Sequence, residues 1–319
     1  MSFRRLNYLF NAFFRYCIFF IIDFLELLNW FIWRKRFKLN GTVLNSKLSA
    51  FDGLVKGEEL NKIEKILSSE VINILTNSPV IFKSKSRWET DFKSGYVWGR
   101  GWHKLINRTR PEGTDIKVPW ETSRLQWMPK LAICGSSIAT DQVIFDQLED
   151  LVRRCPPFFS VPWSCTMDVS IRALNLIFMA DVVYNINPDE VDKSGLKRLI
   201  ICHMNFIGRY DEWGGGKRNN HFLTNLLGLF VCQLYMFSKF DDRHYFEAAL
   251  RTMQRFDNEV KYQFKSDGFH FEHCTGYHKL CTEILCLFTI FGKWYGVGKY
   301  DEILRIEAAA KLSLNTLSM

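Results

Sequence analysis

From Pro119 to the end of the sequence, apolar residues recur at helical spacing in runs of about 12–20 residues, separated by short polar turns. This repetition constrains the fold more than any other feature, because amphipathic helices joined by short turns pair as antiparallel hairpins. The spacing predicts helices near residues 121–133, 139–154, 166–184, 190–209, 220–237, 242–264, 276–294 and 300–316, with Pro129 expected to kink or break the first. Leu125, Met128, Leu131 and Ala132 form one apolar stripe. Leu196, Leu199, Ile200, His203 and Phe206 form a second, and Leu223, Leu226, Leu227 and Phe230 a third. Asn187-Pro188-Asp189, Gly214-Gly215-Gly216 and Asp267-Gly268 supply chain-reversing chemistry between them. No long strand-rich segment interrupts the pattern, so the expected class is all-α, in stacked or ring-arranged hairpins.

Upstream the text is less regular. Residues 40–118 read as an irregular, aromatic-rich lead-in with one helix at 56–75 and an extended stretch carrying Trp88, Tyr96, Trp98 and Trp102. Together with 119–319 it is expected to form one domain. Residues 1–39 are strongly apolar between Arg4 and Arg5 at one end and Arg34, Lys35, Arg36 and Lys38 at the other. Arg15, Asp23 and Glu26 interrupt the run, which is too broken to span a bilayer and lacks a small-residue cleavage site. Two readings stand side by side: a helix packed on the rest of the protein, and a segment making peripheral contact with a membrane.

The net charge of +8 favours an anionic partner. Its Lys and Arg residues are dispersed and no nucleic-acid-binding motif is present, so nucleic acid is not the expected partner. The nine cysteines are scattered, odd in number and without a C-x-x-C pair, which points to free thiols. Aromatics make up 15% of the chain, and their rings serve both cores and the apolar faces of sugars.

Three polar clusters stand out. In residues 115–127, Glu121, Arg124 and Gln126 crowd beside Trp120 and Trp127, a mix suited to sugar recognition, although Glu121 also suits a helix first turn. In residues 214–221, three glycines precede Lys217, Arg218, Asn219, Asn220 and His221 at a helix start. This could be an anion cradle or a turn capped by Asn, and Asn and His side chains can hold a carboxylate. In residues 267–278, His270, Glu272, His273 and His278 do not follow a zinc spacing, so no metal is expected. Tyr277, at a helix start after Gly276, is the better candidate for proton transfer, given a neighbouring cation to lower its pKa.

Together these clusters resemble the heparinase II/III family and the related helical-toroid alginate lyases. The resemblance lies in residues 115–124, in 163–175 from Trp163 to Asn175, in Asn219 to Leu223, and in Gln263 to His278, in that order. It implies an incomplete (α/α) toroid and cleavage of a uronate-containing polysaccharide by β-elimination, with no cofactor. By that resemblance Asn220, helped by His221, neutralises the uronate carboxylate, and Tyr277 protonates the leaving oxygen. Trp120, Glu121, Arg124, Arg172, Asn175, Asn219, Glu272 and His278 are then expected to bind substrate or brace the cleft. The sequence has Cys155-Pro156-Pro157 where the family has Asn-Pro. Family enzymes add a C-terminal β-sandwich with a further catalytic histidine, which this sequence is expected to lack. A periplasmic setting follows from the resemblance, without a clear signal peptide to support it. A non-catalytic glycan-binding or surface-polysaccharide assembly protein is the alternative.

Overall fold

The computed structural model describes residues 3–38, 71–74, 78–81, 87–106, 111–134, 138–213 and 218–317. Its first helix, α1, runs Phe3–Trp33. Two short strands follow, β1 (Val71–Ile74) and β2 (Ser78–Ile81), paired antiparallel. The helices after them are α2 (Lys117–Ser123), α3 (Trp127–Cys134), α4 (Ile138–Arg154), α5 (Thr166–Ile177), α6 (Pro188–Lys193), α7 (Leu196–Arg209), α8 (Asn220–Phe240), α9 (Arg243–Gln263), α10 (Thr275–Trp294) and α11 (Asp301–Leu317). The all-α expectation therefore holds apart from the small hairpin. The helix expected at 56–75 is overturned at its end, where Val71–Ile74 is strand; its earlier part lies outside the described residues.

Helix α8 is the hub, packing against α5, α7, α9 and α10. It is long and apolar enough to cross a membrane, but 78% of its apolar window is buried inside the protein. A helix apolar on all sides belongs in a core. Gly228 sets how closely α5 approaches it: a Cβ there would lie 2.7 Å from the Ser170 Cβ. The second and third sequence stripes are buried throughout, as are Leu125, Met128 and Ala132 of the first.

Three helix boundaries depart from the spacing. The expected helix at 121–133 divides into α2 and α3 at Leu125, whose φ of 60° breaks the helix. Pro129 does no damage, because it is the third residue of α3, where its missing N–H is not needed. The helix expected at 190–209 divides into α6 and α7 at Gly195, in the left-handed region beside the Phe37 ring. Helix α5 gives way to a π-helical stretch, Phe178–Val183. The lead-in is also more compact than an extended strand: Thr90 bridges Val97, and Trp88, Trp98 and Trp102 are all buried.

Helix α1 packs against the helical domain. Asp23 is fully buried and accepts hydrogen bonds from Trp102 Nε1 (2.7 Å) and the Tyr210 hydroxyl (2.6 Å), with Arg209 as its ion-pair partner. Glu26 pairs with Arg198 at 2.5 Å, and Trp30 is buried. The packed-helix reading thus holds for the inward face of α1, while its other face, with Ile21, Leu25 and Ile32, is exposed.

Candidate functional site

The polar residues gather at one end of the bundle, where three helices begin. Helix α8 starts with Asn219 as its cap: the side-chain oxygen accepts from the Phe222 N–H at 3.0 Å. Asn219 is therefore committed to the backbone, the job that Asn does well at this position. Its carbonyl accepts from Gln263 Nε2 at 3.2 Å, which ties the end of α9 to the start of α8. Residues 214–217, the glycine-rich part of the expected anion cradle, lie outside the described residues.

Asn220, next along, is buried and donates from Nδ2 to Glu272 at 3.1 Å. Its Oδ1 is buried without a partner among the described residues. Glu272 belongs to the segment that leads into α10, so this bond joins the second and third helix starts. One of the two amide hydrogens holds Glu272, and the other has no partner among the described residues.

His221 is partly exposed and its Nδ1 lies 3.0 Å from Glu212 Oε1. Burial by itself would lower the histidine pKa, but the hydrogen bond and the negative charge of Glu212 outweigh it and hold the pKa above its ordinary value. Glu212 is itself clamped: it accepts from the Met167 N–H at the start of α5 (2.8 Å) and from Asn225 Nδ2 (3.3 Å). One carboxylate thus connects the first helix start to the second. Cys165 also lies beside it, and Cys165, Glu212 and His221 could together present ligand atoms to a metal ion. Burial pushes the Cys165 thiol well above its ordinary range, and nearby Asp168 and Glu212 push it further. With Glu212 shared among four donors, the Met167 N–H, Asn225 Nδ2, His221 Nδ1 and the Cys165 thiol at 3.9 Å, the group forms a hydrogen-bonded brace.

The cluster at 115–127 joins the same end. Arg124 pairs with Asp168 in the first turn of α5 and lies 3.8 Å from Glu121. Glu121 is pushed above its ordinary range by burial and by the neighbouring carboxylates of Asp168 and Asp115, against the pull of Arg124 and Lys117. Trp120 is half-buried and donates from Nε1 to the Ser164 hydroxyl at 2.8 Å. Asn175 donates to the Arg124 carbonyl at 2.8 Å, fixing the backbone just before the strained Leu125.

Two expected contact residues are sealed inside. Arg172 is buried: it donates to His203 Nε2 (2.9 Å) and to the Pro162 carbonyl (2.9 Å), and its guanidinium lies over the Trp163 ring. Burial lowers its pKa to about 10 and drives His203 well below its ordinary value, so Arg172 carries the charge in this pair. It braces the wall behind the site. His278 is also buried, its Nδ1 accepting from the His270 N–H at 3.2 Å. It holds the 267–278 loop and does not face solvent. His270 is buried too, bonded through Nε2 to Gln263 (3.0 Å), while the exposed His273 meets Lys265 (2.8 Å), so these three imidazoles serve three different partners. Tyr277, by contrast, is 48% exposed in the first turn of α10 and makes no hydrogen bond among the described residues.

Glu212 and Asp168 were not singled out from the sequence. Asp168 falls within the motif at 163–175, a usable signal. Glu212 sits in a loop, and nothing local marks it.

The chain matches the family model "Heparinase II/III N-terminus" over residues 81–300. No curated protein matches it significantly. Among solved structures it is similar to a mutant heparan sulfate lyase of Pedobacter heparinus (TM-score 0.55, 13% identity, covering 92% of this chain and 43% of that one). It is also similar to a heparinase III gene product with methylated lysines (TM-score 0.53, 13% identity, 84% and 41%) and to a heparinase III (TM-score 0.50, 13% identity, 85% and 46%). The chain spans less than half the length of each. The shared architecture is the incomplete (α/α) toroid of helical hairpins.

Proposed function

The chain belongs to the heparinase II/III family, and from that premise we propose that it is a polysaccharide lyase, or the helical domain of one, acting on a uronate-containing anionic polysaccharide by β-elimination. The observation that carries this reading is the joining of three helix starts by Glu212 and Glu272, with His221 held toward its cationic form and Tyr277 exposed in the first turn of α10. Helix N-termini favour anions, and so does an imidazolium.

In the reaction, the C5 proton of a uronate is acidified when donors neutralise its carboxylate and stabilise the enolate-like intermediate. The Nδ2 hydrogen of Asn220 that Glu272 does not engage and the His221 imidazolium are those donors. A base takes the C5 proton, the electron pair forms the C4=C5 double bond, and the C4–O4 bond breaks. The departing O4 receives its proton from the Tyr277 hydroxyl. For some stereochemistries the same phenol, once ionised, is the base. Trp120, Glu121 and Arg124 form the sugar-facing wall, with Asn175 and Arg172 behind it and Glu272 orienting the Asn220 amide.

The test is incubation with uronate polysaccharides, followed by absorbance at the ultraviolet band of unsaturated uronates. The expected result is a rising signal, reduced about 100-fold or more in Tyr277→Phe. Full activity in that variant, or glycan binding without any new double bond, would refute the assignment.

A further inference from the structure

The outward face of α1 has no part in the candidate sugar site. Ile18, Phe20, Ile21, Phe24, Leu25, Leu28, Phe31 and Ile32 are 37–63% exposed along this helix, with Phe20 at the margin of the face, its ring edge-on to Trp102 at 5.1 Å. Large apolar side chains exposed in a row mark a contact surface. At 3.6 residues per turn these eight positions cover about half of the helix circumference.

The charges on α1 are sorted around this face. Its acids, Asp23 and Glu26, both turn inward and are paired with Arg209 and Arg198, so the exposed face carries no acid between positions 18 and 32. Beyond the helix end, Lys35, Arg36 and Lys38 are exposed and make no ion pair among the described residues. Arg34 lies over the Trp30 and Phe31 rings at 4.5 and 4.7 Å, at the boundary between the apolar stripe and the basic cluster.

A second copy of the chain fits this surface less well than a lipid bilayer does. Paired helices bury a narrow seam of alternating three- and four-residue steps, with charged residues at its margins. Here the apolar arc is far wider than a seam, and its margins carry no charged pairs. A half-cylinder of Ile, Leu and Phe with cations at its end suits a helix lying flat in the interface, its side chains among the acyl chains and its cations at the headgroups.

We propose that α1 docks this protein on an anionic membrane surface, with the Ile18-to-Ile32 face inserted among the lipids and Lys35, Arg36 and Lys38 against the headgroups. The inward face holds the helical domain through Asp23 and Glu26, so the helix joins a bilayer to a glycan-handling domain. The docking does not depend on the catalytic reading: a protein without lyase activity would dock in the same way.

The experiment is flotation of the full chain on a density gradient, with vesicles of phosphatidylcholine alone or mixed with phosphatidylglycerol. The protein is expected to float with the mixed vesicles and to release in high salt. Ile21→Glu with Leu25→Glu is expected to weaken binding about tenfold or more, since charge is costly among acyl chains. Each of Lys35→Gln, Arg36→Gln and Lys38→Gln is expected to weaken it about fivefold on anionic vesicles, the gain that one cation brings at such a surface. All these positions are exposed, so an unchanged thermal unfolding curve serves as the folding control. A wild-type protein that stays at the bottom of the gradient overturns the proposal. So does a dimer, detected by light scattering, that the Ile21→Glu and Leu25→Glu pair dissolves. Equal binding to neutral and anionic vesicles overturns it as well.

Discussion

Replacing Glu212 by Gln tests whether His221 works as a cation. The substitution keeps shape and hydrogen-bonding length but removes the charge that faces Nδ1 at 3.0 Å. A hydrogen bond to a charged group contributes about 1.5–3 kcal/mol and a neutral one about 1 kcal/mol, so the imidazolium loses about 1–2 kcal/mol of support. Where binding or turnover needs that cation, the loss corresponds to a roughly 5- to 30-fold weakening at neutral pH. The direction with pH follows from the shift. Glu212 holds the His221 pKa above its ordinary value, so the imidazolium is present below that pKa and is lost as pH rises through it. In Glu212→Gln the loss moves to lower pH, and the deficit is largest near neutrality and closes on the acid side. Carbon-13 NMR of the histidine side chains reads the titration directly, and calorimetry with a uronate oligosaccharide across pH reads the affinity. An unchanged His221 titration in the variant, or a deficit equal at every pH, would refute the reasoning. Loss of the Met167 and Asn225 contacts alone would give that pH-independent result, since it would disturb packing and leave the proton equilibrium unmoved.

Two further outcomes follow from the core. Gly228→Ala places a Cβ 2.7 Å from the Ser170 Cβ and 3.0 Å from its Cα, so α5 and α8 must separate; a loss of about 1–3 kcal/mol is expected in urea unfolding. His270, buried and held by Gln263, has its pKa lowered to about 4 by burial and by His278. The unfolded chain therefore binds the proton first, and stability falls as pH drops from the ordinary histidine range towards 4; His270→Gln is expected to flatten that part of the curve of stability against pH.

The candidate site shows where local pattern stops being informative. Asn220, His221 and Tyr277 could be picked out because their neighbours place them at helix starts, and Asn219 because capping is a short-range interaction. Arg172 and His278 were equally visible as polar residues, yet burial assigns both to bracing, since their environment is built by segments far away in the chain. Arg172 meets Ser123, Pro162 and His203, and His278 sits beneath the 267–278 loop. Glu212 had no signal of its own, because its importance lies in what it touches: Met167, His221 and Asn225.

The same division runs through the whole molecule. Most helices, their apolar stripes and the family motifs were legible along the chain, because each depends on residues within a few turns of one another; the breaks at Leu125 and Gly195 and the strand at Val71–Ile74 were not. The apolar character of residues 1–39 on nearly every side was equally plain from the sequence. Packing in three dimensions set one face of α1 to bury Asp23 against Trp102, Tyr210 and Arg209 while the other remains open. It alone brought three helix starts together across Glu212 and Glu272. Periodicity is set by backbone geometry along the chain, whereas burial and charge pairing are set by distance in space, and here the pairs that matter lie up to 187 positions apart.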